Sequence, residues 1–128
     1  MSYTLVIVVI TVLISIASFN NDKFYNDLIL WPKRMDTPGQ YYRLLTSGFI
    51  HADYIHLLFN MLALFFFGRP IDGVFDNMGA RSLILVLYLG GIVVASLPSF
   101  IKNRNNYYYR SLGASGGVAA VLFSFISF

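Results

Sequence analysis

The chain has 128 residues, of which 57% are hydrophobic and only 12% charged, and its formal net charge is +3. Soluble domains carry about 25% charged residues, so this composition indicates a lipid environment or an unusually apolar core. Cysteine is absent, which excludes disulfides and thiolate metal sites, and the length fits a single domain. The nine basic residues form no run of the kind that follows a phosphate backbone, so we expect no nucleic-acid partner.

The first 19 residues carry no charge and are long enough to cross a bilayer core as one helix. A cleaved signal peptide is the competing interpretation, but the segment lacks basic residues and a clear cleavage site before Asn20. Residues 20–46 then mix charges, turn residues and aromatic side chains, which is typical of the membrane–water interface. We therefore expect a membrane helix followed by a long interfacial loop that contains short helices.

The second and third apolar segments are separated by a short polar stretch. The second helix is expected to begin near Ala52 or Asp53, where the Asp53 side chain can cap it, and to end at Phe67. Glycine, proline and asparagine then predict a loop over residues 68–81. A third helix should cover residues 82–101, with small residues that favour close helix packing at Gly90, Gly91 and Ala95.

The fourth apolar segment follows a polar loop over residues 102–112 and stops early. From Gly116 to Phe128 there are 13 residues, which are too few to cross ~30 Å of hydrocarbon. We therefore expect a fragment that ends inside a span. The predicted fold is all-α: a polytopic transmembrane helix bundle, truncated after about three full spans and part of a fourth.

Polar side chains inside these spans are few. His56 and Asn60 share one face of the second helix because they are spaced i, i+4. Polar groups in a membrane must face a partner or a water-filled cavity. Counting the spans places Ser115, which opens the fourth helix, on the same side and at a similar depth. Two plainer interpretations stay open: Ser115 as a small packing residue, and His56 with Asn60 as a structural hydrogen bond between helices.

This set of groups suits acyl transfer, which needs a nucleophile and donors aimed at the developing oxyanion. Ser115 can supply the nucleophile, and the unpaired N–H groups at the start of a helix can donate. The side chains of Asn60 and His56 can donate as well. A general base with a defined partner is missing, since His51 and His56 are the only histidines of the chain.

The sequence resembles the rhomboid family of intramembrane serine proteases from Tyr42 to Ser124. The resemblance is carried by two motifs in order, His51-x4-His56-x3-Asn60 and Gly113-x-Ser115-Gly116. It implies a partial rhomboid-like transmembrane domain over residues 1–128. It also implies a serine endopeptidase that cleaves membrane proteins and uses no metal or cofactor.

The resemblance implies roles for individual residues. Ser115 is the nucleophile, and Asn60, His56 and the Ser115 amide stabilise the oxyanion. His51 matches a family histidine with a structural or hydration role, and Gly113 and Gly116 complete the motif around the serine.

Two charged positions also match the family. Tyr42-Arg43 resembles a Trp-Arg pair of the first loop, with tyrosine in place of tryptophan. Asp72 stands where the family usually has glutamate, and that acid can bond to the loop arginine. Because aspartate is one methylene shorter than glutamate, the Asp72 side chain extends less far toward Arg43 in the expected contact.

The general base of the family is a histidine on its sixth core helix, which residues 1–128 do not include. We therefore expect the chain alone to be inactive. Two alternatives remain at this point. One is a non-catalytic rhomboid-like protein that binds transmembrane helices. The other is a small helical component of a transporter, with His56 and Asn60 lining a polar path.

The expected partners are the lipid bilayer and transmembrane substrates, and the expected location is a bacterial inner membrane. Seven of the nine basic residues lie in the two loops on the Ser115 side. The positive-inside rule alone would place that side in the cytoplasm. The resemblance implies an active site that opens to the exterior, and this is the orientation that we expect.

Overall fold

The computed structural model describes residues 3–80, 82–112 and 115–127, and the elements in this part of the chain are helices. This confirms the predicted all-α fold. In chain order the α-helices are α1 (Tyr3–Phe19), α2 (Asp22–Leu28), α3 (Arg43–Thr46), α4 (Tyr54–Asn77), α5 (Leu83–Lys102) and α6 (Ser115–Ser127). Two 3-10 turns, Arg34–Asp36 and Ser47–Phe49, complete the first loop, which confirms that it contains short helices.

Helix α1 buries hydroxyl groups and exposes hydrocarbon. Its buried positions recur every three or four residues: Thr4, Ile7, Thr11, Ser15 and Ser18. On the opposite face Leu13 is 64% exposed and Val9 is 49% exposed. A helix on the surface of a soluble protein has the reverse arrangement, with apolar residues inward. The inward hydroxyls are what a membrane helix needs, because lipid offers its polar groups no partner.

Helices α4 and α5 form the long spans of the bundle. Within the described residues, these two helices are long and apolar enough to cross a membrane, with mean hydropathies of 1.4 and 2.3 over their most apolar windows. Large apolar side chains cover their outer faces, including Phe59 and Val94, each 67% exposed. Such a continuous apolar surface fits contact with lipid.

Helix α4 begins as predicted and ends ten residues later than predicted. Asp53 caps it by accepting a hydrogen bond of 2.9 Å from the backbone N–H of His56. The predicted loop over residues 68–81 is wrong as far as Asn77, because α4 continues through Gly68 and Pro70. Proline removes one backbone hydrogen bond from a helix interior, so this continuation needs compensation from packing.

That packing comes from the beginning of α1. Gly68 lies against Thr4, whose side-chain atoms would be 2.7 and 2.9 Å from a Cβ at residue 68. One turn later the carboxylate of Asp72 accepts a hydrogen bond of 2.8 Å from the backbone N–H of Thr4. Ile71 and Phe75 are buried beside it. These tertiary contacts outweigh the local turn signals of the sequence.

Helices α5 and α6 approach closely through small residues, as the sequence predicts. A Cβ at Gly91 would lie 2.8 Å from Ala120 Cβ and 2.9 Å from the carbonyl oxygen of Gly116. A Cβ at Gly116 would meet Ala95 and the Gly91 carbonyl. Gly90, by contrast, has no heavy atom within 4 Å of its Cβ position. Of the two adjacent glycines, Gly91 therefore makes the helix contact.

We predict that Gly91→Ala destabilises the protein, whereas Gly90→Ala does not. The new methyl at residue 91 would overlap backbone atoms of α6 that cannot move aside, and overpacking of this kind costs about 1–3 kcal/mol. The same change at residue 90 meets open space and gains ~0.5–1 kcal/mol of helix propensity. Thermal unfolding of both variants in detergent checks the pair. Equal melting temperatures would contradict the close contact at Gly91.

Candidate active site

The loops that precede α4 and α6 lie on the same side of the bundle. Leu30 in the first loop pairs with Ser111, and their backbones exchange two hydrogen bonds of 2.8 and 2.9 Å. Because α4 follows the first loop and α6 follows Ser111 within a few residues, both helices start at this side. This agrees with the topology predicted by counting spans.

The starts of α4 and α6 also lie at similar depth. The rings of Phe67 on α4 and Phe125 on α6 are in contact, with centroids 5.1 Å apart. Phe67 follows His56 by eleven residues and Phe125 follows Ser115 by ten. Both stretches correspond to similar lengths of helix at ~1.5 Å of rise per residue, so His56, in the first turn of α4, and Ser115, the first residue of α6, lie at similar depth.

Ser115 is the first residue of α6. Its side chain lies outside the described part of the structure, and so does the whole of Gly113 in the same motif. The backbone position is nevertheless informative. The first N–H groups of a helix have no partner within the helix, so α6 begins with backbone N–H groups that are available as donors.

His56 lies in the first turn of α4 and is held by the residue that caps the helix. Its Nδ1 is 3.0 Å from Asp53 Oδ1, and the two side chains are 69% and 54% exposed. The His56 backbone N–H is the largest of the influences that lower the pKa of Asp53, which keeps the cap ionised. Sequence analysis gave Asp53 only the capping role, although the i, i+3 spacing to His56 already permits both contacts.

Asn60 lies one turn further along the same face of α4 and is half-buried. Its side chain makes no hydrogen bond to any residue that the structure describes. A half-buried amide that is not engaged within its own bundle can donate to a bound group. The sequence prediction that His56 and Asn60 share one face therefore agrees with the structure.

His51 is fully buried and joins α1 to the segment before α4. The Ser15 hydroxyl donates to the Phe49 carbonyl oxygen at 2.6 Å, and Ser15 Oγ lies 3.0 Å from His51 Nδ1. Since a serine has one hydroxyl proton, His51 must donate through Nδ1–H. Protonation would then add a buried N–H at Nε2, which has no partner among the described residues. Burial accordingly lowers the pKa of His51 to about 4, and nearby His56 adds to the effect.

Arg43 and Asp72 do not meet, and the expected contact between them is wrong. Arg43 is buried in the first loop, where its guanidinium donates to Gln40 Oε1 at 3.0 Å and to the carbonyls of Asn26 and Ile29 at 2.6 and 2.9 Å. Asp72 lies in the part of α4 that contacts the beginning of α1. The length of α4 separates the two residues, so the first loop does not fold back far enough to join them.

We predict that the pH dependence of stability contains a term from His51. With a pKa of about 4 in the folded state and ~6.5 when unfolded, the unfolded chain binds the proton first. The term is therefore absent above about pH 6.5 and destabilises increasingly as pH falls toward 4. The melting temperature of the wild type should fall as the pH is lowered from 8 to 5, and that of His51→Gln should change less. As a control, His56→Gln should keep most of the dependence, and loss of the dependence in that variant would contradict the assignment to His51.

Comparison with known proteins identifies relatives of this chain. A family model described as the rhomboid domain matches residues 38–128. Rhomboid protease GlpG of Haemophilus influenzae is 29% identical over 126 residues, which is 93% of this chain and 58% of that protein. Rhomboid protease GluP of Bacillus subtilis is 32% identical over 84 residues, 66% of this chain and 15% of that protein. RHOMBOID-like protein 4 of Arabidopsis thaliana is 35% identical over 86 residues, 67% of this chain and 20% of that protein.

The matches cover most of this chain but only part of each relative. The chain spans between 15% and 58% of the length of these three curated relatives. The match of the family model covers the first-loop arginine, both polar positions of α4 and the start of α6. The predicted resemblance is confirmed: the chain belongs to the rhomboid family and is an integral membrane protein.

Proposed function

We propose that this chain carries the nucleophile and the oxyanion donors of a rhomboid-type serine endopeptidase that cleaves membrane-protein substrates. The observation that carries the proposal is the level placement of the start of α6 beside His56 and Asn60 on α4. A polar cluster at this depth suits peptide hydrolysis, because it lies near the water that the reaction consumes and beside the bilayer that holds the substrates.

In the proposed reaction, Ser115 Oγ attacks the carbonyl carbon of the scissile peptide bond. The carbonyl oxygen becomes an oxyanion that accepts hydrogen bonds from the Asn60 amide and the Ser115 backbone N–H. Collapse of this intermediate breaks the C–N bond, and the departing amine takes a proton. Water then hydrolyses the acyl-serine and restores the hydroxyl.

His56 contributes a third donor in this proposal, under a condition that its geometry sets. When Asp53 accepts from Nδ1–H, the neutral imidazole has a lone pair at Nε2 and cannot donate from that atom. Donation through Nε2 therefore needs the imidazolium form. Asn60, whose amide donates without a change of charge, is the principal side-chain donor.

The general base is proposed to lie outside residues 1–128. The chain has two histidines, and His51 is buried against Ser15 while His56 is held by Asp53. The family resemblance matches His51 and His56 to positions other than the base, so the proposal assigns that role to neither. The proposal accordingly treats residues 1–128 as part of a longer active protein and predicts no proteolysis by this segment alone.

The proposed location is a bacterial inner membrane, with the Ser115 side facing the exterior. The bacterial relatives GlpG and GluP support the location. The orientation follows the family resemblance and runs against the positive-inside count. Accessibility of a cysteine placed at exposed Tyr108 to an impermeant thiol reagent on intact cells tests the orientation.

We predict that a fluorophosphonate probe labels the full-length protein in detergent and that Ser115→Ala abolishes the labelling. An activated serine forms a covalent adduct with the probe, whereas ordinary surface serines do not. Ser111→Ala is the matched control, because Ser111 precedes Ser115 by four residues and its hydrogen bonds to Leu30 use backbone atoms only.

The outcomes of this experiment separate the candidate functions. Equal labelling of the wild type and Ser115→Ala would remove Ser115 as the nucleophile. A full-length protein that takes no label and yet retains transmembrane helices on co-purification would be a non-catalytic binder. Loss of labelling in Ser115→Ala but not in Ser111→Ala supports the enzyme.

We also predict that Asn60→Ala lowers kcat for a membrane-embedded substrate by about 10²–10³-fold, the usual effect of losing an oxyanion donor. The melting temperature should change little, because the Asn60 side chain makes no hydrogen bond to the described residues. Asn77→Ala, at the far end of the same helix, is the control and should leave kcat unchanged. A KM effect without a kcat effect would contradict the oxyanion role.

A further inference from the structure

A cluster of basic and aromatic side chains covers the two loops on the Ser115 side. The backbone pairing of Leu30 with Ser111 brings residues 31–36 next to residues 104–110. We name this surface the Trp31 cluster, and its members are Trp31, Lys33, Arg34, Arg104, Tyr107 and Arg110. It is separate from the groups assigned to peptide hydrolysis.

The aromatic rings of the cluster hold cations in place. The guanidinium carbons of Arg34 and Arg110 lie 4.2 and 4.0 Å from the centre of the Trp31 ring. Lys33 Nζ lies 4.6 Å from the centre of the Tyr107 ring. Cation–π contacts restrain long side chains that would otherwise move freely in water. The positive groups of the cluster are therefore ordered before any ligand arrives.

Positive charge in this region exceeds negative charge. Residues 29–36 and 102–111 contain five basic side chains and one acidic side chain, Asp36. Asp36 lies 3.4 Å from Lys33 Nζ and 3.6 Å from Arg104 Nε, so one carboxylate serves two cations. Arg34 and Arg110 are exposed and form no ion pair with any described residue. The cluster thus keeps capacity for an anion.

The cluster lies where a long span reaches the membrane surface. Leu30 and Met35 pack against Phe100, close to the end of α5 at Lys102. Phe100 also contacts the Tyr41 ring at 5.9 Å. Tryptophan and tyrosine prefer the headgroup layer, and basic residues beside a span attract anionic headgroups.

We propose that the Trp31 cluster binds the phosphate of an anionic phospholipid headgroup. The guanidinium groups of Arg34 and Arg110, both stacked close to the Trp31 ring, supply planar donors that match phosphate oxygens. A lipid is favoured over a soluble anion because the cluster borders the apolar end of α5. The proposal does not depend on the role of Ser115.

The test is a titration of the full-length protein in dodecyl maltoside with dioctanoyl-phosphatidylglycerol, followed by native mass spectrometry. Dioctanoyl-phosphatidylcholine and inorganic phosphate are titrated in parallel. We expect tighter binding of phosphatidylglycerol than of either control. Arg34→Gln/Arg110→Gln should weaken it about 30-fold, since each basic residue near an anionic surface contributes about five-fold.

Two further variants make the result specific. Lys23→Gln/Arg69→Gln removes the same charge from exposed residues outside the cluster and should leave the affinity unchanged. Asp36→Asn removes the cluster's carboxylate and should tighten binding by a similar five-fold factor. This gain cannot arise from unfolding, so it tests the site even if the double arginine variant folds poorly.

Several outcomes would overturn the proposal. Equal affinity for phosphatidylglycerol and phosphatidylcholine would exclude recognition of the headgroup charge. An equal loss of phosphatidylglycerol affinity in both double variants would show that the affinity depends on net charge and not on the cluster. Inorganic phosphate that binds as tightly as the lipid would assign the cluster to a soluble anion. Displacement of the lipid by poly-glutamate at the same charge concentration would assign it to an acidic protein segment.

Discussion

The contact of α5 with α6 at Gly91 and Gly116 is the constraint on which the candidate site depends. Each glycine lies against the backbone and an alanine methyl of the other helix, so the two helices approach with no large side chain at this contact. Gly116 is the residue directly after Ser115. The packing that fixes the height of α6 therefore also fixes the first helical N–H groups and the proposed nucleophile. In the motif around Ser115, helix packing requires a small residue at Gly116, and the proposed chemistry requires a serine at the position before it.

The first loop shows how a charged residue is accommodated at the edge of a membrane. Arg43 is buried, and burial lowers its pKa, yet its donors reach two loop carbonyls and the Gln40 amide oxygen. The loop has little regular structure, so its carbonyls need donors from elsewhere. One arginine satisfies several of them at once. Its role is to hold the loop's shape, and the loop in turn supplies Leu30 for pairing with Ser111.

The sequence predicted features that depend on local chemistry or on the order of spans. Asp53 as a cap, the shared face of His56 and Asn60, and the common side of the two helix starts all follow from spacing and topology. The end of α4 and the partners of Arg43 could not be predicted in this way, because they depend on tertiary contacts. Gly68 and Pro70 are turn signals locally, and the helix is favoured by tertiary contacts, including those with Thr4, 64 residues away from Gly68 in sequence. Pairing of Arg43 with carbonyls of residues 26 and 29 likewise has no sequence signature.

The two faces of α1 have different functions. The apolar face favours partitioning into lipid, and the face with the inward hydroxyls sets the orientation of the helix. A uniform leucine helix of the same length would partition into lipid equally well, but nothing would set its rotation about its own axis. Ser15, which joins the Phe49 carbonyl and His51, and Thr4, which meets Gly68 and Asp72, act as two fixed points near opposite ends of α1. Two such points define the rotational register of the helix. We therefore expect the lipid-facing positions of α1 to tolerate many apolar substitutions, and the inward hydroxyl positions to tolerate few.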